Sequence, residues 1–301
     1  MRHHSMRVVV ATVLSMLVPV ALGAQARATH PPEFWLGIVE RGLVLPEGEQ
    51  ALPLLLELQR FFGHRDARLR DGAGYGITAR WVVREKRLTD NEMRRLVAAW
   101  RAGLGATADP HGGDATLYRS FSALGLSLVA ARDVEQKALD AATVSALVDA
   151  AAAQLDANTD VRGYDAEIGW VHVTAHTADL LKFLGRHAAL PRERQATILT
   201  AVARRAATSP TVFAWGEGER LSRAAASVLR RDDVDVAAVD TFLDALLVAA
   251  RRVDWDRPVD ASAVATHENA KGILKDLHLV LSVAGKDDLR QRVLARLEKL
   301  P

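Results

Sequence analysis

His172, His176 and Asp179 are the residues of this sequence whose types and spacing could do chemistry. On an α-helix, which turns about 100° per residue, they share a sector of roughly 60° with Phe183, so two imidazoles and a carboxylate can converge. Two imidazoles one turn apart can hold a divalent metal, with a carboxylate completing the set, and the same trio could move protons in acid–base catalysis. The competing reading is a polar seam, in which the histidines donate to carbonyls or carboxylates of a neighbouring helix and set its register. The zincin motif is absent, because Val173 stands where its glutamate would be. A catalytic zinc would also need a third ligand and an open position.

Several residues could join them. Arg162, with Gly163, comes just before the stretch; an arginine there can grip a carboxylate or phosphate in a two-pronged contact, or pair with a structural acid. Trp170 flanks the histidines. Glu217 and Glu219 stand at an expected helix start, where the macrodipole favours acids, and Arg220 beside them suits a polar network. Trp215 reads as a packing residue, and His267 and Asn269 as weaker candidates on a later helix. No G-x-S-x-G elbow and no P-loop lysine occurs, and the absence of cysteine removes thiol chemistry and Cys-type zinc.

The elements that must position these groups read as helices. The central stretch is helical from about Asp165, with Gly169 as its weak spot, a broad apolar side and a narrow ionisable border. Around it the helical segments are Pro32–Arg41, Glu49–Phe62, a helix opened by the capping box Thr89–Glu92, one capped by Asp114, Ala142–Leu155, one opened by Pro191, Glu217–Arg231, Val236–Val253, Ala261–Val283 and Asp287–Leu300. The glycine-rich Gly63–Gly76 reads as a mobile loop. Short connections between some ten helices predict an all-α fold of stacked antiparallel helical pairs, a degenerate α-solenoid or αα-superhelix, with a compact helical bundle as the alternative. No strict repeat is present.

At the start, Arg2 and Arg7 precede the apolar run Val8–Leu22 and the small-residue site Ala24-Gln25-Ala26. These are the three regions of a secretory signal peptide over residues 1–26, leaving residues 27–301 as a single helical domain, periplasmic or secreted. Its cleavage takes away Arg2 and Arg7 and no acid, leaving 37 basic against 37 acidic residues. The precursor's pI near 9.0 therefore gives no reason to expect a nucleic-acid stripe, and no integral membrane segment is expected after cleavage.

Three stretches together carry a resemblance: Arg119-Ser-Phe-Ser-Ala-Leu124, the block from Arg162-Gly163 through Gly169-Trp170 and His172 to Leu180, and Gly216-Glu-Gly-Glu-Arg-Leu221. From roughly Trp81 onward the chain resembles a bacterial family known as domain of unknown function 2785. This chain departs from the family pattern at Gly218, where an acid is usual. The resemblance implies an all-helical fold and no particular activity, and it marks Arg119, Arg162, Trp170, His172, His176, Asp179 and Glu217 as candidate pocket residues. The expected function is an exported binding module for a protein or peptide. The alternative is a hydrolase of an envelope component, metal-dependent through His172, His176 and Asp179 or acid–base; a weaker third idea is a carbohydrate-active αα-toroid, for which the mature chain is short.

Overall fold

The structure, a computed structural model, describes residues 29–300. The chain separates into residues 1–30 and 31–301, and the fold is that of the second unit. The expected leader lies outside the described residues.

Local sequence signals place most helix ends. Helix α1 spans Pro32–Glu40 with proline at its first turn, and α2 spans Ala51–Leu58. Helix α4 (Asp90–Trp100) opens on the capping box, with the Thr89 hydroxyl accepting from Glu92 N–H and the Glu92 carboxylate accepting from Thr89 N–H at 2.9 Å. Asp114, Asp140, Asp235 and Asp260 each accept first-turn N–H groups of α5 (Ala115–Gln136), α6 (Ala141–Ala157), α10 (Val236–Ala250) and α11 (Ala261–Val283). The remaining helices are α7 (Val173–Arg186), α8 (Gln195–Thr208), α9 (Glu217–Leu229) and α12 (Asp287–Leu297). Because the Thr89 cap satisfies donors the helix cannot satisfy itself, Thr89→Ala is expected to lower unfolding stability by about 1 kcal/mol, measured by urea titration.

The helices sort into two rows. Helices α5, α7, α9 and α11 pack in sequence along one row, and α6, α8, α10 and α12 along the other. The rows meet where α6 packs on α7, α8 on α9 and α10 on α11. The fold is all-α, built of helices stacked in pairs as the spacing predicts. Helix α7 lies between α5 and α9 and is buried on most of its circumference, Val173 to Ala178 without a break. None of the described helices is long and apolar enough to cross a membrane.

Two expectations are corrected. The Gly63–Gly76 stretch is ordered, and most of it is helical. Segments Arg68–Tyr75, Gly76–Thr78 and Ala79–Arg84 run on as one helix, α3, whose first and last parts are wound with π-type bonds. Ahead of the helix, Gly63 serves close approach: a Cβ there would sit 2.0 Å from Asp109 Oδ2. The second correction concerns the central helix, which begins at Val173 and not near Asp165.

Candidate functional site

The segment before α7 turns back on itself. The Asp165 carboxylate accepts the N–H groups of Glu167 and Ile168, which nucleates a tight turn instead of a helix. Gly169 follows in the left-handed region at φ +76°, and the short strands β1 (Tyr164–Asp165) and β2 (Gly169–Trp170) pair antiparallel across the turn. Backbone bonds from Val171 N to Gly163 O and from His172 N to Arg162 O continue the pairing. His172 then takes φ +54°, unusual for a residue with a side chain, and its carbonyl accepts the first helical bond from His176 N. His172 is thus the N-cap of α7 and not a mid-helix residue.

This geometry still brings the two imidazoles together, with ring centroids 5.5 Å apart. His172 Nε2–H donates to the Trp215 carbonyl at 2.9 Å, and Glu217 Oε1 lies 3.7 Å from the same nitrogen. Trp170 stacks on the His172 ring at 4.6 Å and 19°. The Ser120 hydroxyl donates to Val171 O, so its free lone pair takes the proton of His176 Nδ1 at 2.8 Å. Burial, then Arg220, pushes His172 below the ordinary histidine value; Glu217, the Trp215 carbonyl and Asp179 act the other way. Burial, followed by His172, Arg220 and Arg70, holds His176 well below it, against a hydrogen bond to the Ser120 backbone. Both rings are therefore neutral at pH 7, each with one nitrogen hydrogen-bonded and the other without a hydrogen-bond partner among the described residues.

Asp179 is not turned toward them. It binds Lys182 at 2.6 Å and Arg220 at 2.7 Å. Among the described residues no group of three or more His, Asp or Glu is placed to hold a metal ion. The proposed trio of ligands is not assembled because Asp179 pairs with cations and Arg220 imposes positive potential on both rings.

Beside the histidines the segment 161–164, the start of α7 and the loop 209–217 enclose a cavity of about 340 Å³. The loop is pinned at both ends: Asn269 bonds Phe213 N and Thr211 O, Trp215 N donates to Glu217 Oε2 at 2.8 Å, and His172 holds the Trp215 carbonyl. Trp215 lies against Gly163, where a Cβ would come within 2.2 Å of the indole. The rim carries exposed aromatic surface, Tyr164 at 47 % and Trp215 at 50 %, and Trp170 of the adjoining layer, 39 % exposed, stands in edge contact with Tyr164 at 5.0 Å. The walls include Thr174, Arg205 and Glu217.

Of the sequence candidates, Glu217 and Arg162 line this cavity, while Trp170, His172 and His176 form the layer next to it. Arg162 is gripped by Asp160 through Nε at 3.0 Å and Nη2 at 2.6 Å, so it shapes the edge. Arg119 does not line the cavity; it donates to Ala106 O and Thr116 Oγ1. Sequence reasoning missed Arg205 and Thr174 and took Trp215 for packing. Nothing in the local pattern separates Arg205 from its exposed neighbour Arg204; only the face of α8 turned toward α7 does.

The fold and site define a two-row helical protein with a polar cleft at the start of its central helix. Over residues 104–279, more than half its length, the chain matches the family described as a protein of unknown function, DUF2785, and it belongs to that family. No curated protein and no solved structure matches it.

Proposed function

We propose that the protein is an exported binding module whose cleft beside α7 receives a small molecule or a peptide segment. The observation that carries this reading is the cleft itself, which joins a buried polar wall, Arg205 and Glu217, to a rim of exposed aromatic rings. Ligand sites combine apolar and aromatic surface with a few fixed polar groups in this way. Solvent-exposed tryptophan and tyrosine that pack on one another, and not into the core, supply contact area at small entropic cost. Export is supported by the basic start, apolar run and small-residue site of the leader.

Hydrolysis has weaker support. Ser120 is the hydroxyl bonded to an imidazole, yet it is fully buried and its proton is committed to Val171 O. Activation of a nucleophile requires that the hydroxyl reach substrate.

The test follows the indole N–H resonances of Trp170 and Trp215 in the full mature chain as small peptides and simple sugars are added. Saturable shifts of both, lost in Trp215→Ala, are expected. If no compound moves either indole, the binding reading fails; turnover of an added compound would favour the hydrolase.

A further inference from the structure

We propose that the cleft anchors its ligand through a carboxylate, held by Arg205 and the open N-terminus of α7, and that Glu217 makes the site select a singly charged group. This rests on the binding reading above and specifies the chemistry recognised there.

Two arginines are buried among the described residues, and they differ. Arg70 has its acid, Asp71 at 2.9 Å. Arg205 is 3 % exposed, and no carboxylate lies within ion-pair distance of it among the described residues. Its Nε donates to Thr174 Oγ1 at 3.0 Å and its Nη1 to Asn158 O at 2.8 Å, which aims the guanidinium and leaves Nη2 without a partner among the described residues. Burial pushes Arg205 below the usual arginine value, and Glu217 only partly compensates. A buried charge without a counter-ion is costly, and an anion from outside would relieve that cost.

The start of α7 points to the same ligand. Its N-cap, His172, makes no side-chain capping bond, unlike the aspartates that cap α5, α6, α10 and α11. The N–H groups of Val173, Thr174 and Ala175 have no acceptor among the described residues, and Thr174 lines the cavity. A helix N-terminus with free donors attracts anions, and a guanidinium presents N–H groups in a plane that matches a carboxylate.

Glu217 sets the limit on charge. It lines the same cavity, with Oε2 occupied by Trp215 N–H and Oε1 without a hydrogen bond among the described residues. A second negative charge on the ligand would be repelled there, so phosphate, at about −1.5 to −2, is disfavoured against a carboxylate. Oε1 is free to accept from an N–H or O–H on the ligand.

The carboxylate could belong to a free small acid or to a peptide C-terminus. The experiment measures affinities of the full mature chain, by indole shifts and calorimetry, for acetate, Ala-Ala-Ala, its C-terminal amide and inorganic phosphate. Ala-Ala-Ala is expected to bind at least tenfold more tightly than its amide and than phosphate. Acetate binding as tightly as the tripeptide identifies a small acid as the source; much weaker acetate binding identifies a peptide terminus, and both support the anchor. Arg205→Lys, which keeps the charge and loses the fork, should weaken the tripeptide at least tenfold. Arg205 also supports Thr174 and Asn158, so Glu217→Gln provides an independent check: it should bring phosphate to within about threefold of the tripeptide. If acid and amide bind equally, or phosphate matches the acid in the unaltered chain, the carboxylate anchor is overturned while the cleft remains a binding site. If none of the four moves an indole, the anchor is overturned; the cleft reading then stands or falls on the wider set of peptides and sugars.

Discussion

Asp133→Ala is expected to cost the fold about 3–5 kcal/mol, the loss that follows from removing one partner of a buried, hydrogen-bonded acid. Asp133 is fully buried near the end of α5, and its two oxygens accept from Ala138 N at 2.8 Å, Leu139 N at 3.0 Å and His187 Nε2 at 2.8 Å. His187 accepts Ala189 N–H at Nδ1, which keeps its proton on Nε2 facing the carboxylate. One side chain thus closes the α5–α6 connection and ties it to the end of α7, and its loss leaves three buried donors unpaired. Burial alone would raise the Asp133 carboxyl, but the hydrogen bonds from His187, Ala138 and Leu139 outweigh it and hold the group below the ordinary aspartate value. Its stabilising effect is therefore complete above the unfolded value of about 3.9 and disappears as pH falls through the lower folded value. Urea unfolding at pH 7 and at pH 3 should show the gap between parent and Asp133→Asn narrowing at the acid end. An equal gap at both would disprove the assignment.

The second large effect lies at the site. His176 is neutral in the folded chain because burial, His172, Arg220 and Arg70 all oppose its charge, while the unfolded residue titrates near about 6.5. Above that pH neither state holds the proton, and folding is unaffected. Below it the unfolded chain takes up a proton that the folded chain refuses, so stability falls by as much as about 1.4 kcal/mol per pH unit until the folded value is reached. His172, lowered in the same direction, adds to the slope. Between pH 7 and 5 the parent should lose up to roughly 2 kcal/mol from His176 alone. His176→Asn can still donate to Ser120 and cannot titrate, so it should cost about 1–3 kcal/mol at pH 8 and show a shallower slope below pH 6.5. Identical slopes for parent and variant would mean that His176 is protonated in the folded state, and the neutral site described above would be wrong. This window lies well above that of Asp133, so the two groups are separable in one titration series.

Helices were legible where the signal is local. Capping aspartates, the Thr89–Glu92 box and a period of 3.6 act over a few residues, and these set the ends of α4, α5 and α11. The same logic misread Asp165, because an aspartate that accepts two following N–H groups can open a helix or close a turn. Gly169 decided for the turn through its positive φ, and the helix then started eight residues later, at Val173. The π-type winding of α3 has no comparable local mark, and the glycines Gly72, Gly74 and Gly76 inside it read as loop residues because glycine is a poor helix former.

By itself the sequence determined the all-helical class, most helix boundaries, the family and the neighbourhood of His172, His176 and Glu217, because periodicity, capping and motif are properties of contiguous residues. Only the tertiary structure decided which groups meet. Asp179, three residues from His176, turns to Arg220 of α9, whereas Ser120, 56 residues away, bonds the His176 ring. Arg204 reaches Asp156 from the surface while Arg205, next to it in sequence, is driven inside against Thr174. Adjacent residues on a helix point about 100° apart, and which of them faces a neighbouring helix depends on how the rows stack, a relation between segments that no single segment encodes.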